Sequence, residues 1–283
     1  LSAAIGRYRC AMRALSTLAL LLAAACSSTT FAEPRFQLSP YVAVHRLTGD
    51  ASAATPGSGG GGAATNNAAQ PLSAFGQGDR DQDLCYRFDV GDGFAGVRVD
   101  WYRLGIAGDP GSPLDDGYGA YAAGDEASMR AAMDEWRLGY VETFATKRTK
   151  LWDRPLALHA GAGGVFASRD LSLTARRSGD GLVERSSFDG ENLYAALRLG
   201  ARWQGVSLDA EYALCPDVAV AGDVDGWLHD LELRAAWAMP YVDVTLFAGW
   251  RLATLEAATT SAGARRTADL QLDGWLLGVS VSF

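Results

Sequence analysis

The chain has 283 residues, with 33 acidic against 25 basic side chains and a formal net charge of −8. That balance argues against a nucleic-acid partner, whose phosphates demand a basic footprint. Only two of its four cysteines, Cys85 and Cys215, lie beyond residue 32, too few for a four-ligand structural zinc site.

Residues 1–32 read as an address. Met12-Arg13 precede the apolar run "ALSTLALLLAAAC" (Ala14–Cys26), and small or polar residues follow up to Ala32. A basic start, a short apolar core and small residues at the end mark a secretory signal cut after Ala32, with Met12 as the candidate true start. Ala23 stands where a lipid-modified Cys26 would usually be preceded by Leu. Cleavage would leave residues 33–283 as one domain. It would remove Arg7, Arg9 and Arg13 and no acid, taking the net charge to −11. The leader's apolar core is shorter than the ~20 residues of a spanning helix, and no later stretch approaches that length.

From Arg35 onward the pattern has period two, the signature of strands with unlike faces. In chain order the predicted strands are "FQLSPYVAVHRL" from Phe36, "LCYRFDV" from Leu84, "GVRVDWY" from Gly96, "EWRLGYVETF" from Glu135 and "PLALHAGAGGVF" from Pro155. "NLYAALRLGARW" from Asn192, "VSLDAEYAL" from Val206, "HDLELRAAWAM" from His229, "VDVTLFAGWRL" from Val242 and "LDGWLLGVSVSF" from Leu272 complete a set of about ten, with eight or twelve as the neighbouring even numbers. Short connections (91–93, 147–153, 204–205, around Met239-Pro240) alternate with long ones (48–83, 108–134, 168–189, 216–226, 256–267). Pro56–Pro71, low in complexity, reads as a flexible loop open to protease. Asp125–Trp136 has helix-forming composition and reads as a short surface helix.

The two faces differ in kind. One carries charges of mixed sign: Arg87 and Asp89, Arg98 and Asp100, Arg198 and Arg202, Asp209 and Glu211, Asp230, Glu232 and Arg234, Asp243 and Arg251. The other mixes Leu, Val, Ala and Gly, with Trp203, Trp227, Trp237, Trp250 and Trp275 near strand ends. Strands of ~9–12 residues suit a tilted membrane crossing, whereas ordinary globular strands run to ~5–6. A soluble sandwich would not need one-sided long loops. The expected fold is therefore all-β: a transmembrane, antiparallel, up-and-down β-barrel with the charged face lining a small lumen. Buried charges must pair. A two-residue turn at Gln204-Gly205 would set Arg198 opposite Glu211 and Arg202 diagonal to Asp209, and the next hairpin would bring Asp230 near Arg251.

The closing "GWLLGVSVSF" resembles the last strand of proteobacterial outer-membrane β-barrels. Phe283, Val281, Val279, Leu277 and Trp275 match that family's terminal Phe and alternating apolar residues. The resemblance implies an outer-membrane location, with long loops extracellular and termini periplasmic. It implies outer-membrane lipid and lipopolysaccharide as surroundings, and the barrel-assembly machinery as a partner through Phe283. It gives no individual function.

Candidate chemistry is sparse. His159 reads as a hydrogen-bonded lumenal residue. His45 and His229 fall near loop-side strand ends, and His229 has Asp223, Asp225 and Asp230 close in sequence as carboxylate partners for a general base. Outer-membrane proteases of the omptin type share the strand number, but no stretch here matches their motif, so no residue is assigned. Asp217, Asp223 and Asp225 offer oxygens to a cation without the spacing of a calcium loop, and read as a solvated acidic loop. Cys85 and Cys215 face inward near the same mouth, where a disulfide depends on strand geometry. Thr146–Lys150 ("TKRTK") reads as an exposed basic turn. No catalytic, cofactor or metal site is assigned. The expected role is structural or surface interaction, against a narrow channel or a rim hydrolase.

Overall fold

The computed structural model describes residues 35–55, 64–216, 219–224, 227–261 and 264–283; the expected leader lies outside them. Ten long strands form the wall: β1 (Arg35–Ala53), β2 (Asp81–Gly91), β3 (Gly96–Ala107), β4 (Ala127–Leu151) and β5 (Arg154–Arg177), then β6 (Val183–Trp203), β7 (Val206–Cys215), β8 (Leu228–Ala238), β9 (Val244–Ser261) and β10 (Ala264–Ser282). Each pairs antiparallel with the next, and β10 returns to β1, so the sheet closes on itself. Gln70–Pro71 and Ala219–Gly222 add short strands to β1 and β6.

The seam runs from Gln37 opposite Ser282 to Ala53 opposite Arg266. At its foot Phe36 and Phe283 exchange backbone hydrogen bonds (3.3 and 3.0 Å) and stack at 6.2 Å between centroids. Phe283 is thus part of ring closure. Among the described residues two hairpins turn in two residues, Trp152-Asp153 (φ 49° and 59°) and Gln204-Gly205 (49° and 81°). Positive φ at both positions matches the turn to the right-handed strand twist.

Several expected loops prove to be strand. Between β5 and β6 only residues 178–182 connect, and β9 runs to Ser261, which pairs with Ala264 of β10. The expected helix at Asp125–Trp136 is instead the start of β4. Ala127, Met129, Ala131 and Met133 are buried, while Arg130 and Asp134 are exposed. Pairing brings Met133, Ala131 and Met129 opposite Leu171, Leu173 and Ala175, so a tertiary partner outweighs weak helical propensity. The "TKRTK" segment is strand as well. Beyond Gly96–Val141, β4 continues to Leu151 against β5 alone. Lys147, Arg148 and Lys150 on this exposed stretch deter a further strand from adding to it.

The strands live in two surroundings. Over some nine to eleven residues each, the outer face is apolar: Phe36 to Val44 on β1, Leu193 to Trp203 on β6, Trp275 to Phe283 at the end of the chain, a length that crosses hydrocarbon when tilted. Outer side chains such as Leu199 (53% exposed) and Leu208 (56%) have no protein cover. Aromatics mark the loop-side border of this belt, with Tyr86, Trp101 and Trp136 adjacent across β2, β3 and β4, and Trp250 opposite Trp275. Past them the faces exchange character. Asp170, Gln271 and Asp269 point outward, while Leu104, Leu171, Leu173 and Leu270 are buried inside. With β4 at 25 residues and β5 at 24, much of the wall stands clear of the belt.

An arginine placed at Leu208, inside the belt, should therefore destabilise the folded barrel by ~2–4 kcal/mol. The same charge at Asp170, above it, should change stability by less than ~0.5 kcal/mol. Urea titration of both variants in lipid vesicles, followed by tryptophan fluorescence, checks the difference.

Candidate functional site: the charged layer and the lumen

Period-two geometry sends alternate side chains of every strand into the lumen. Within the belt and at its loop-side border these are the charges. Arg87 on β2 grips Glu232 on β8 with two parallel bonds of 2.7 Å and donates to Asp100 on β3 at 2.5 Å. Arg98 bridges Asp89 (2.8 Å) and Glu211 (3.1 Å), and Glu211 also receives Arg198. Arg251 on β9 reaches Asp230 (2.7 Å) and Glu135 (2.6 Å); Arg137 reaches Asp230 (2.7 Å), and Arg169 donates to Glu135 and to the Tyr194 hydroxyl. Strands β2 to β9 all contribute.

Burial here is deep: Glu135 is 1% exposed, Asp230 2% and Arg87 3%. Desolvating such groups is expensive, and only close, multiple pairing offsets it. Aromatic faces assist, with the Arg251 guanidinium 4.7 Å from the Tyr102 ring centroid and Arg169 5.4 Å from that of Tyr194.

Two further features flank the layer. On its turn side Phe94, from the β2–β3 turn, folds inward to 3% exposure. It occupies the space left by Gly161 and Gly200, where an added Cβ would stand 3.0 and 2.6 Å from its ring. Arg198 donates to the Phe94 carbonyl at 2.5 Å. On the loop side lies an apolar core. The 3-10 turn Leu72–Phe75 drops Leu72 and Phe75 into it, and Phe75 packs edge-on to Tyr118 at 4.9 Å. Tyr121 binds the carbonyls of Ala175 and Leu182 at 2.8 Å. The stretch expected to be a flexible loop is thus tied down over its described part, where Asn67 bonds Ala53 and Gln70 pairs with Ala51; residues 56–63 lie outside the described set.

Charges within and bare leucines without, on a closed ring, are the inverse of a soluble protein. The chain is a transmembrane-type β-barrel. No protein-family profile and no curated protein matches its sequence. Among solved structures, the barrel is similar to the outer membrane protease OmpT from Escherichia coli, at 9% identity and a TM-score of 0.49, over 87% of this chain and 97% of that one. It is also similar to Ail, the attachment invasion locus protein of Yersinia pestis (11%, 0.32, 89% and 99%), and to a Pseudomonas aeruginosa FadL homologue (9%, 0.31, 89% and 90%).

The pairs expected from sequence are present in this barrel. Arg198 faces Glu211 in register, Arg202 bonds Asp209 at 2.9 Å, and Arg251 bonds Asp230. Asp243 stands apart in the β8–β9 turn. The contribution of Arg169, which lay in an expected loop, and the inward fold of Phe94 were missed; alternation through Asp170, Ser172 and Thr174 was the available signal for the first. The histidines are dispersed. His229 faces outward to the Tyr212 hydroxyl (2.5 Å), opposite in parity to Asp230, which belongs to the layer. Asp217 and Asp225 lie outside the described residues, and the Asp223 amide donates to the Asp189 carbonyl. His45 is fully buried, with Nδ1 3.0 Å from the Tyr102 hydroxyl and Nε2 3.3 Å from Asp83. His159 sits toward the turn-side end of β5, beside Thr146 and the Phe94 ring. Cys85 and Cys215 are buried and not joined to each other.

At the loop-side rim, the hydrogen bond from Arg177 holds the Asp180 carboxyl down at about 2. Because the folded value is depressed, this contact stabilises the β5–β6 turn at neutral pH and is lost only as pH falls through that value.

Glu135 is one of the shared acceptors of the layer, taking bonds from Arg169 and Arg251. Glu135→Ala should leave Arg169 and Arg251 short of a carboxylate and cost about 3–5 kcal/mol, while exposed Asp50→Ala should change stability by less than ~0.5 kcal/mol. Chemical denaturation in detergent measures both.

Proposed function

We propose that this barrel is an integral outer-membrane protein with a sealed, charge-paired interior and a structural or surface-interaction role. In this reading its long strands and loops face outward and both termini face the periplasm. The observation that supports it is the stacking of three fillings along one lumen: Phe94, the ion-pair layer and the apolar core under Leu72 and Phe75. Ten strands enclose little space, and open aqueous pores come nearer sixteen. Phe283 is the proposed contact for the assembly machinery, and lipopolysaccharide the proposed outer-leaflet neighbour of the loop-side border.

The main alternative is a narrow channel, which would need a water-filled route past the ion pairs. Planar-bilayer recording of the refolded protein separates the two. The sealed reading expects a silent bilayer in 1 M KCl; stepwise conductance abolished by boiling the sample would establish the channel. The rim hydrolase is supported by one contact alone, His45 to Asp83, made by a ring that no solvent reaches. Loss of a peptidase or esterase activity in His45→Ala would revive it.

A further inference from the structure

Below Phe94 the turn-side end of the lumen holds a cavity of about 690 Å³, within the range of small-ligand sites. Its walls contain six arginines against three aspartates, in a chain that is acidic as a whole. Half of that positive charge is already neutralised: Arg98 by Asp89 and Glu211, Arg198 by Glu211, and Arg202 by Asp209. Asp92, whose Oδ1 accepts the amides of Phe94 and Ala95, sets one further negative charge against the remaining three arginines.

Arg35, Arg148 and Arg234 line the same cavity and make no ion pair among the described residues. Arg234 is the most informative. Its Nη2 donates to Ser280 Oγ at 3.1 Å and its guanidinium lies 4.0 Å from the Phe247 ring centroid. Its Nε is buried with no hydrogen-bond partner. A buried guanidinium N–H without an acceptor is an unfavourable arrangement. Arg35 on β1 and Arg148 on β4 are exposed at the rim.

Three guanidiniums without an ion pair among the described residues line one cavity, against the one remaining carboxylate of Asp92. A single carboxylate would satisfy one of them; a phosphate group carries more charge and enough acceptor oxygens for several planar donor forks. We propose that this cavity binds a phosphate-bearing anion entering from the turn side, with Arg234 at its base and Arg35 and Arg148 at its rim. The assignment is independent of whether the lumen above Phe94 is sealed.

The test uses the refolded chain in neutral detergent at low salt, titrated calorimetrically with pyrophosphate. Saturable binding at one site per barrel is expected, weakened at least about tenfold by Arg234→Gln through loss of a charge-assisted contact. The pair Arg35→Gln with Arg148→Gln, which touches no ion pair of the wall, should weaken binding while heat-modifiable gel migration stays unchanged. Absence of saturable heat, or equal affinity in the wild type and both variants, overturns the site. Competition by short-chain phosphatidylglycerol assigns a lipid headgroup as the source of the phosphate, and lack of competition assigns a soluble anion.

Discussion

Hydrocarbon offers the backbone no hydrogen bonds, and the rest of this structure follows from that constraint. A sheet can cross lipid only if it has no free edge, so the strands must close into a ring. Closure fixes period two, because each side chain must point either to lipid or to the lumen. The outer face is then barred to charge, and any charge retained in the belt must lie inside a narrow, poorly hydrated space. There it must find a partner. The Arg–Glu and Arg–Asp contacts joining β2 through β9 are that requirement met, and they tie together strands that share no backbone bond.

The same ring leaves the lipid without breaking. Beyond the row of Tyr86, Trp101 and Trp136, water replaces hydrocarbon as the outer neighbour, and the pattern inverts accordingly. Leu171, Leu173 and Leu270 turn to the inside and Asp170, Asp269 and Gln271 to the outside. The upper barrel is thus held by an ordinary apolar core under the Leu72–Phe75 turn, and the lower barrel by ion pairs. One continuous sheet obeys two opposite burial rules, with the change set by the medium outside.

This division explains what could be read in advance. Alternation located all ten wall strands, and charges on one face marked six of them, because within the belt the contrast between Arg198 and Leu197 or Leu199 is extreme. Local pairs such as Arg198–Glu211 were legible since a two-residue turn fixes the register of neighbouring strands. Contacts across the lumen, such as Arg87–Glu232 and Arg251–Glu135, depend on ring size and strand tilt, which no single segment encodes. The upper strands read as loops and one helix, since "DEASMRAAMDEW" has helical composition and only its partner strand selects the extended form. Phe94 escaped notice because nothing local says that a turn residue will fold inward onto Gly161 and Gly200.

The central claim is that the apolar outer face meets lipid while the charged inner face does not. Spin labels attached singly at positions 199, 208 and 277, in the belt, and at 170 and 273, above it, test this directly in reconstituted vesicles. Collision rates with oxygen and with a water-soluble nickel chelate would be compared. The first group should be relaxed by oxygen and ignored by the chelate, and the second group the reverse. Strong chelate relaxation at all five positions would contradict the account.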